Sequence, residues 1–597
     1  MDALDRLEKH WRWWLLLVWL LTCVLLIFNR WGQMRGFGLS DTDDNIRMME
    51  VRALLNGQGW YDLRQYRLNP PYGANIHWSR IVDLPIAGIK LVLAPMVGGA
   101  AAERWAVAIA PLLPMGLAMA AIAVTVRRLI APHAFGLGIA LLLCGHSTRG
   151  MWSPLRIDHH GWQLAALAVA VMGLADPKRA RGGIVLGLAT AFSLAIGLEM
   201  LLYLGLLGAA TGLIWIVDGG QARRLATYGL SLAGGCALGF LIFASDANRE
   251  PLCDALTPVW LSVMVLAGAL CVGLAMATPQ RWPLRLGLAA AAAIVLGVFY
   301  ALAWPHCLQR LEGVSPELAA MWLDNVREAR PLYTHGWQVA ISIVAMPVAG
   351  LFGYGLMIWR NRRDPAALVA WASVAAPALL AILLLLWQSR AGPAAQMLSV
   401  PGATALAWLI IPGLRSSKWM LVRVVGTVFA FLLVSGIIAQ EATRFIPKPK
   451  SKVSAIANKA NGSCPTLAAL RPIAQQPRGY VLTFVDLGPR LITVTHHDAV
   501  AGPYHRNGAD ILDVMKSFRG TPDEAHRVIA KRGIDYVLIC PGMAESTVYA
   551  AYAKNGFYMQ LVRNKLPAWL TPVPLPKDSP YRMFRVIGEP VAKTVRP

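Results

Sequence analysis

The sequence predicts a polytopic α-helical membrane protein that ends in a small C-terminal α/β domain. Hydrophobic residues make up 56% of the 597 residues and charged residues only 15%. The apolar residues fall in runs of about 20, the length at which a helix crosses a bilayer. The 56 Lys and Arg against 33 Asp and Glu would suggest nucleic-acid binding in a soluble chain. Because charge is so sparse here, we exclude nucleic acid as a partner, and also a disordered chain or a single soluble domain.

Thirteen apolar runs are predicted to span the membrane. They lie near residues 13–28, 104–126, 132–146, 162–176, 182–198, 200–217, 226–244, 256–277, 286–304, 337–359, 366–388, 394–412 and 418–438. The apolar run 84–99 is interrupted by Lys90 and Pro95. We interpret it as a helix lying in or on the membrane within an outer loop. The first run lacks a following small-residue cleavage site, so we expect an uncleaved anchor.

Basic residues predict the orientation of these spans. Alternate connections carry the clusters Arg127-Arg128, Lys178-Arg179-Arg181, Arg223-Arg224, Arg281 with Arg285, Arg360-Arg362-Arg363, and Arg415 with Lys418. The positive-inside rule places these connections in the cytoplasm, as expected for a bacterial inner-membrane protein with a cytoplasmic N-terminus. The outer loops are then 31–103, 147–161 and 305–336. The chain divides into a transmembrane domain, 1–439, and a periplasmic domain, 440–597.

The tail after the last span has the pattern of an α/β domain. The predicted elements are a linker at 445–463, strands at 480–485, 491–495 and 535–540, and a helix at 523–532. Cys464 and Cys540 both lie in this domain. In an oxidising compartment they could form a disulfide, and otherwise they are two free thiols.

The first outer loop carries an acidic cluster. Asp41, Asp43 and Asp44 lie within four residues. Carboxylates this close repel each other unless a cation lies among them, and their oxygens are the ligands that Mg²⁺ or Mn²⁺ prefers. The alternative is the acidic N-terminus of a helix, where carboxylates favour the helix dipole.

Two later segments add further candidates. Asp158-His159-His160 in the second loop could ligate a metal, or could cap a helix at the membrane interface. Glu328 in the third loop could belong to a salt-bridged surface loop. Arg390, at the outer end of a span, could bind a phosphate or simply anchor the helix at the interface. Together the residues predict a site for a divalent metal and a lipid-linked phosphate on one membrane face.

The order of these segments resembles the catalytic subunit of oligosaccharyltransferases, within the C-type (GT-C) membrane glycosyltransferase superfold. Asp41, followed six residues later by Arg47, is similar to the family's first-loop Asp…Tyr-Arg motif, with Ile46 in place of the tyrosine. The Asp158-His-His stretch is similar to the second-loop acidic motif, and 326–331 is similar to Val-x-Glu-x-x-Pro. Thirteen spans and an outer C-terminal domain also match.

The resemblance implies roles for individual residues. Asp41, Asp158 and Glu328 would surround a divalent metal, Mg²⁺ or Mn²⁺, with His160 as a further ligand. Asp41 and Glu328 would face the acceptor nucleophile, and Arg390 would hold the donor phosphate. The implied activity moves a sugar or oligosaccharide from a polyprenyl-(di)phosphate carrier to an acceptor glycan, lipid or protein on the outer membrane face.

One motif departs from the family. The stretch similar to Trp-Trp-Asp-Tyr-Gly is 484–488, which keeps Asp486 and Gly488 but neither tryptophan. Recognition of an Asn-x-Ser/Thr sequon is therefore not implied, and the acceptor stays open. The weaker candidates for acceptor or donor contacts, with a structural loop role as the alternative, are Asp43, Asp44, Arg47, His159, Asp486, His497, Tyr504, His505 and Arg506.

Three other functions remain as alternatives. A lipid or glycan transporter or flippase would place ionisable residues within its spans and show a repeat between halves, whereas here the carboxylates cluster in outer loops. A polyprenyl-monophosphate-sugar-dependent glycosyltransferase would share the first-loop carboxylate. A non-catalytic homologue would not be expected to retain Asp41, Asp158 and Glu328 together.

Overall fold

The computed structural model describes residues 8–39, 41–446 and 451–588, and these form a helical membrane domain with a small sheet domain docked on one end. The helices of the transmembrane domain are α1 (Trp11–Arg35), α2 (Thr42–Leu55), α3 (Asp83–Val97), α4 (Gly99–Ile109), α5 (Leu112–Leu129), α6 (Phe135–Cys144), α7 (His146–Gly150), α8 (His160–Leu174), α9 (Arg179–Ile196), α10 (Leu201–Val217), α11 (Ala222–Phe243), α12 (Pro258–Ala277), α13 (Trp282–Ala303), α14 (Pro316–Met321), α15 (Trp337–Arg360), α16 (Pro365–Leu384), α17 (Gly392–Arg415), α18 (Thr427–Val434) and α19 (Ile437–Ala442).

The helices match the predicted spans. Within the described ranges, nine helices are long and apolar enough to cross a membrane, and a tenth candidate is the pair around α18 and α19, bent by 78°. Shorter apolar helices at Pro132–Cys144, His160–Leu174 and Leu201–Val217 coincide with the other three predicted spans. The polytopic fold is therefore confirmed, although three of the helices are shorter than a full crossing normally requires.

Small residues allow the closest helix contact. A side chain at Gly353 would collide with the backbone of Gly402, and one at Gly350 would collide with Ser399, so α15 and α17 touch backbone to backbone. Small-residue interfaces are a common way of packing helices in lipid, where burial of apolar surface gives little driving force.

The first outer loop is an ordered platform. It contains α2, a two-stranded antiparallel sheet of β1 (Arg64–Gln65) and β2 (Ala74–Asn75), and α3. Helix α3 corresponds to the predicted interfacial helix at 84–99. Its side chains Leu91, Val92 and Met96 are exposed and apolar.

The C-terminal domain is built on a five-stranded sheet with the order β4-β3-β5-β7-β6. Its strands are β3 (Tyr480–Leu482), β4 (Asp498–Ala499), β5 (Tyr536–Ile539), β6 (Leu570–Pro572) and β7 (Arg582–Val586). Strand β3 pairs in parallel with β4 and β5, whereas β7 pairs antiparallel with β5 and β6. The helices are α20 (Lys452–Ser463), α21 (Leu467–Ala474), α22 (Gly488–Val494), α23 (Gly508–Arg519), α24 (Pro522–Arg532), α25 (Ala544–Tyr552) and α26 (Phe557–Val562).

Two of the predicted strands and the predicted helix of this domain are found. Helix α24 begins with a capping box of Thr521 and Glu524 and ends at Gly533 in the left-handed conformation. The strand predicted at 491–495 is wrong, because this segment lies in α22. Pro489 in its first turn favours a helix start, and packing against α2 overrides the β-branched composition.

The linker predicted at 445–463 is also largely wrong. Residues 447–450 lie outside the described residues, but α20 begins immediately afterwards with Ser451 as its N-cap. This helix precedes Cys464, which forms a disulfide with Cys540. A second disulfide, which sequence reasoning missed, joins Cys253 and Cys307 in loops that flank α12 and α13.

Polar contacts dock the C-terminal domain on the first outer loop. Arg67 Nε lies 2.8 Å from Asp498 Oδ1, and Arg490 Nη1 donates to the Phe37 carbonyl at 2.9 Å. Asn507 Nδ2 donates to the backbone carbonyl of Asn75 at 3.0 Å. The domain is therefore positioned over the loops that carry the predicted site residues.

Candidate functional site

Asp41 begins the helix that presents the first-loop carboxylates. It is the N-cap of α2, and its Oδ1 accepts a hydrogen bond from the Thr42 backbone at 2.7 Å. Side-chain oxygens at this position satisfy a backbone N–H that has no partner within the helix. The side chain of Asp41 remains 42% exposed, so the residue is both a cap and accessible to a ligand.

Arg156 joins the acidic residues of the first two outer loops. Its Nη1 lies 2.6 Å from Asp41 Oδ2, and its Nη2 lies 2.6 Å from Asp158 Oδ2. The buried Asp44 contributes Oδ2 at 3.7 Å from Nη1. One guanidinium therefore brings together three of the carboxylates that the sequence singles out.

Asp44 also fixes the second loop through its backbone. Its Oδ1 accepts hydrogen bonds from the Ile157 and Asp158 backbone N–H groups, at 2.7 and 3.0 Å. This contact positions the start of the Asp-His-His segment against α2. Asp44 is buried, so it is a structural anchor of the site rather than a group that faces a ligand.

Asp43 is a carboxylate of the cluster whose negative charge no ion pair offsets in the described part of the chain. Within the described residues, no hydrogen bond or ion pair involves its side chain. Burial, followed by the charges of Asp41 and Asp158, raises the pKa of Asp43 to about 8. Burial also raises the pKa of Asp158, but Arg156 and then His160 outweigh it, so that the pKa of Asp158 is below its ordinary value. A cation placed here would relieve the repulsion.

The two histidines of the second loop have different partners. His160 Nδ1 lies 3.0 Å from Asp158 Oδ2. His159 is buried, and its Nε2 lies 2.8 Å from Glu199 Oε1, while its Nδ1 has no hydrogen-bond partner. Glu199 also accepts a hydrogen bond from Gln163 at 2.6 Å. His160 therefore contacts the acidic cluster, whereas His159 contacts Glu199 in the connection between α9 and α10.

A second carboxylate centre lies where the C-terminal domain meets the loop between α11 and α12. Arg506 binds Asp254 through two nitrogens at 2.8 and 2.6 Å, and His505 Nε2 lies 2.5 Å from the same carboxylate. Burial opposes the shift, but the hydrogen bonds from Arg506 and His505 lower the pKa of Asp254. We call Asp254, His505 and Arg506 the domain clasp. Here His505 and Arg506 join the C-terminal domain to the loop that carries Asp254.

Two other predicted contact residues, Arg47 and His497, have their polar contacts with other parts of the protein. Arg47 is buried, pairs with Asp83 at 2.8 Å and covers the Trp78 ring. His497 is buried, with its Nδ1 accepting from Gly479 and its Nε2 beside the Ile473 carbonyl. Because these contacts hold both residues within the fold, we leave Arg47 and His497 out of the proposed site.

Tyr504 braces the acidic helix from the C-terminal domain. Its buried hydroxyl donates to the Thr42 carbonyl at 3.2 Å, one residue after Asp41. Its ring meets Trp78 edge to face at 5.5 Å. Tyr504 thus holds the start of α2 in place and does not itself face a ligand.

Asp486 lies close to the first-loop carboxylates. It precedes α22, which packs directly against α2 through contacts such as Thr493 Oγ1 to the Asn45 carbonyl at 3.2 Å. Burial by surrounding atoms, followed by the charge of Asp41, raises the pKa of Asp486 to about 6, although solvent still reaches the residue. The backbone N–H of Asp486 donates to Glu545 at 2.7 Å.

Glu328 and Arg390 meet each other but not the acidic cluster. Arg390 Nη2 lies 3.9 Å from Glu328 Oε1, and the Ser389 hydroxyl donates to the Glu328 carbonyl at 3.2 Å. Among the described residues, no hydrogen bond or ion pair joins Glu328 to Asp41 or Asp158. Glu328 is 56% exposed. Of the four predicted metal ligands, the contacts therefore connect Asp41, Asp158 and His160, while Glu328 stands apart.

The donor set suits a divalent cation. Asp41, Asp43, Asp158 and His160 offer carboxylate oxygens and an imidazole, and within the described ranges Asp43 forms no ion pair. In the described part of the chain, the groups whose ligand atoms lie within 4.8 Å of one another are three others, and the set of Asp41, Asp43, Asp158 and His160 is not among them: His159, His160 and Glu199; His77, Asp254 and His505; and Cys253, His306 and Cys307. The last is a disulfide with a neighbouring histidine, and the second is neutralised by Arg506.

Sequence reasoning missed the residues that assemble the site. Arg156 lies two residues before Asp158, a spacing that could have suggested a shared partner. Glu199 looks like an interface residue in the sequence, and only the fold reveals its contact with His159. Asp254 and Arg506 are 252 residues apart, so no local pattern could have paired them.

No protein-family model matches the sequence, and neither does any curated protein. Solved structures of the Archaeoglobus fulgidus oligosaccharyltransferase are similar in fold. Its apo form is 15% identical with a TM-score of 0.69, covering 92% of this chain and 72% of that chain. Its complex with an inhibitory peptide and a dolichol-phosphate is 12% identical with a TM-score of 0.66, covering 91% and 72%. Its complex with Zn and sulfate is 13% identical with a TM-score of 0.62, covering 91% and 70%.

Proposed function

We propose that this chain, which has the oligosaccharyltransferase-like GT-C fold, is a membrane glycosyltransferase. It moves a sugar or oligosaccharide from a polyprenyl-linked donor to an acceptor on the outer face of the membrane. The observation that carries the proposal is the meeting of Asp41 and Asp158, from separate outer loops, on Arg156 beside the uncompensated Asp43. Strongly perturbed carboxylates in one place are typical of functional sites.

In this proposal Asp41 binds the acceptor nucleophile and takes up its proton. Its side chain is partly exposed and is held by Thr42 and Arg156, so its orientation is fixed before any ligand binds. Arg156, with burial opposing it, lowers the pKa of Asp41, so the carboxylate is ionised at neutral pH. Such a group accepts a hydrogen bond from the acceptor nucleophile and takes up its proton as the new glycosidic bond forms.

A divalent metal fits the same residues. Asp41, Asp43, Asp158 and His160 would hold it, on the chemistry of their oxygen and nitrogen donors. When bound, such an ion supplies positive charge that stabilises a departing phosphate. The Archaeoglobus fulgidus structure with Zn and sulfate supports a divalent ion of this kind, and Mg²⁺ or Mn²⁺ is our proposal.

Arg390 is proposed as the contact for the donor phosphate. Its guanidinium is 35% exposed and lies 3.9 Å from Glu328, a weak pairing that leaves donors free. Glu328 would then lie at the phosphate end of the site. For Glu328 to act as a metal ligand or face the acceptor, the 305–336 loop would have to move toward Asp41. The dolichol-phosphate complex of the archaeal protein supports a polyprenyl phosphate as the carrier.

We propose that the site faces the periplasm of a bacterial inner membrane, with the N-terminus in the cytoplasm. Both disulfides lie on the side of the molecule that carries the acidic cluster, and disulfides persist in oxidising compartments. The carboxylates lie in loops and not in mid-span, which favours an enzyme over a transporter.

The test uses the natural donor pool. A deletion strain should accumulate polyprenyl-linked glycan, and purified protein should release or transfer glycan from that lipid extract in a metal-dependent manner. The Asp41→Asn variant should be inactive. Asp218→Asn is the matched control, because Asp218 is half exposed and lies at the end of α10, on the predicted cytoplasmic side. An extract that wild-type protein leaves unchanged would argue against a transferase.

A further inference from the structure

Glu545 is a buried carboxylate that the proposed chemistry does not use. It lies in the first turn of α25 and is 8% exposed. Its Oε1 accepts a hydrogen bond from the Val485 backbone at 2.9 Å, and its Oε2 accepts one from the Asp486 backbone at 2.7 Å. The Tyr549 hydroxyl also donates to it. Burying a carboxylate costs free energy unless such partners are present, so the arrangement calls for an explanation.

The contacts of Glu545 hold a turn that exposes one side chain. The turn leaves β3 and enters α22. Thr483, Phe484 and Val485 are all buried, and the Thr483 hydroxyl donates to the Leu538 carbonyl. Asp486 is the exposed residue of this stretch. Its backbone N–H lies outside both elements and depends on Glu545 for a partner.

The turn that carries this exposed carboxylate leads into α22, which packs against α2 of the first-loop site. Helix α22 packs on α2, and Gly488 at its start leaves no room for a side chain against the Ala501 carbonyl. The charge of Asp41 contributes to the raised pKa of Asp486, which indicates that the two carboxylates are near each other. Glu545 therefore holds the backbone of the turn that carries Asp486, from the buried side.

We propose that Glu545 is a positioning residue for acceptor recognition. It holds the turn so that Asp486 meets a hydrogen-bond donor of the acceptor, a hydroxyl or an amine, beside Asp41. This inference rests on the proposed glycosyltransferase function. It also explains how the turn keeps one orientation without the two tryptophans of the oligosaccharyltransferase motif.

The first arm of the test measures the turn directly. In Glu545→Gln one carboxylate oxygen becomes an NH₂ group, which cannot accept a hydrogen bond. The Val485 or the Asp486 amide, whichever loses its acceptor, should then exchange hydrogen about tenfold faster by mass spectrometry, with α24 protection unchanged. Tyr549→Phe keeps the carboxylate and should leave both amides protected. Should Glu545→Gln fail to fold, Glu545→Asp, whose shorter side chain withdraws the same acceptors, takes its place.

The second arm separates recognition from chemistry. In the complemented deletion strain, Glu545→Gln and Asp486→Asn should each lower surface glycan by about tenfold or more, as measured by mass spectrometry. With lipid extract from the deletion strain and water as the acceptor, purified Glu545→Gln should release free glycan within about twofold of wild type. Asp41→Asn should lose both reactions.

Two results would overturn the inference. One is normal surface glycan in Glu545→Gln despite faster amide exchange, since the turn would then be irrelevant to the acceptor. The other is an equal loss of water-dependent release and surface glycan, since Glu545 would then only support the fold or the chemistry. Failure of wild-type protein to act on the extract or to restore surface glycan would instead refute the proposed function itself.

Discussion

The protein has two carboxylate centres held by arginine, and they are built in opposite ways. In the domain clasp, Arg506 and His505 satisfy both oxygens of Asp254, and the pKa of that carboxyl falls below its ordinary value despite burial. In the loop site, Arg156 is shared among the acidic residues, and Asp43 has no partner among the described residues. In the clasp the carboxylate oxygens are all held by cationic partners, whereas in the loop site Asp43, whose pKa is raised to about 8, has no such partner among the described residues.

This difference indicates that the clasp has a structural role and the loop site a functional one. A buried carboxylate whose oxygens are all occupied stabilises a contact, and its loss leaves its former partners unpaired. A cluster whose carboxylates repel each other costs stability, and such a cost is usually tolerated where a ligand supplies the missing charge. The clasp should therefore matter for assembly and the loop site for catalysis.

The largest expected effect is on activity at the loop site. Asp41→Asn should lower glycan transfer by about a thousandfold or more, because the proposed proton acceptor is lost. Its melting temperature should fall only slightly, because asparagine serves as an N-cap as well as aspartate does, although the ion pair with Arg156 is lost. Transfer is measured on donor extract and stability by thermal unfolding in detergent. A large drop in melting temperature would show that Asp41 mainly stabilises the fold. The proposed difference between the loop site and the clasp would then be wrong.

The next effect is on stability at the clasp. Asp254→Ala leaves Arg506 and His505 buried without their partner and should cost about 3 kcal/mol. Protease should then cut between the two domains at a lower temperature than in wild type. Asp218→Ala, which removes an exposed pair with Arg179, is the control and should cost less than about 1 kcal/mol. If Asp254→Ala were as stable as this control, the clasp would not hold the domains together.

The effect of metal on activity and thermal stability should also differ between variants of the two centres. EDTA should lower activity, and added Mn²⁺ or Mg²⁺ at about 100 times its dissociation constant should restore it and stabilise the wild type by about 2.7 kcal/mol. Asp254→Asn should respond in the same way, because the clasp lies outside the metal site. Asp41→Asn should show no thermal shift. Stabilisation that survives in Asp41→Asn would locate the ion elsewhere.

The smallest expected effect is a pH dependence of the free energy of unfolding, which comes from Glu545 beside the turn that carries Asp486. Burial, followed by the nearby Asp486, raises the pKa of Glu545 to about 8, above its ordinary value of 4.5. The folded state therefore binds this proton more tightly than the unfolded chain. Stability from Glu545 is fully present below pH 4.5, declines as the pH rises, and is lost above about 8.

The measurement for this prediction is a difference between two proteins. The unfolding free energy of wild type minus that of Glu545→Gln should fall between pH 5 and 8 and level off above that range. Tyr549→Phe keeps the titrating carboxylate and should retain a decline of the same sign. A flat difference would show that Glu545 does not carry the raised pKa.

Local patterns in the sequence were sufficient for the fold but not for the whole site. Apolar runs and basic connections predicted the spans, and the motif order brought Asp41 and Asp158 to one place. The segment 491–495 was misjudged as a strand because its β-branched residues outweighed Pro489 in the prediction, whereas packing on α2 decides the structure. Glu545 and Asp254 could not be found, since their roles depend on partners far away in the chain.

The most direct test of the central claim compares the two centres in one assay. Surface glycans of the deletion strain are profiled by mass spectrometry after complementation with wild type, Asp41→Asn or Asp254→Asn at matched expression. We predict that wild type restores the profile, that Asp254→Asn restores it in proportion to folded protein, and that Asp41→Asn restores nothing although it folds. Full restoration by Asp41→Asn would contradict the assignment of the loop site as the catalytic centre.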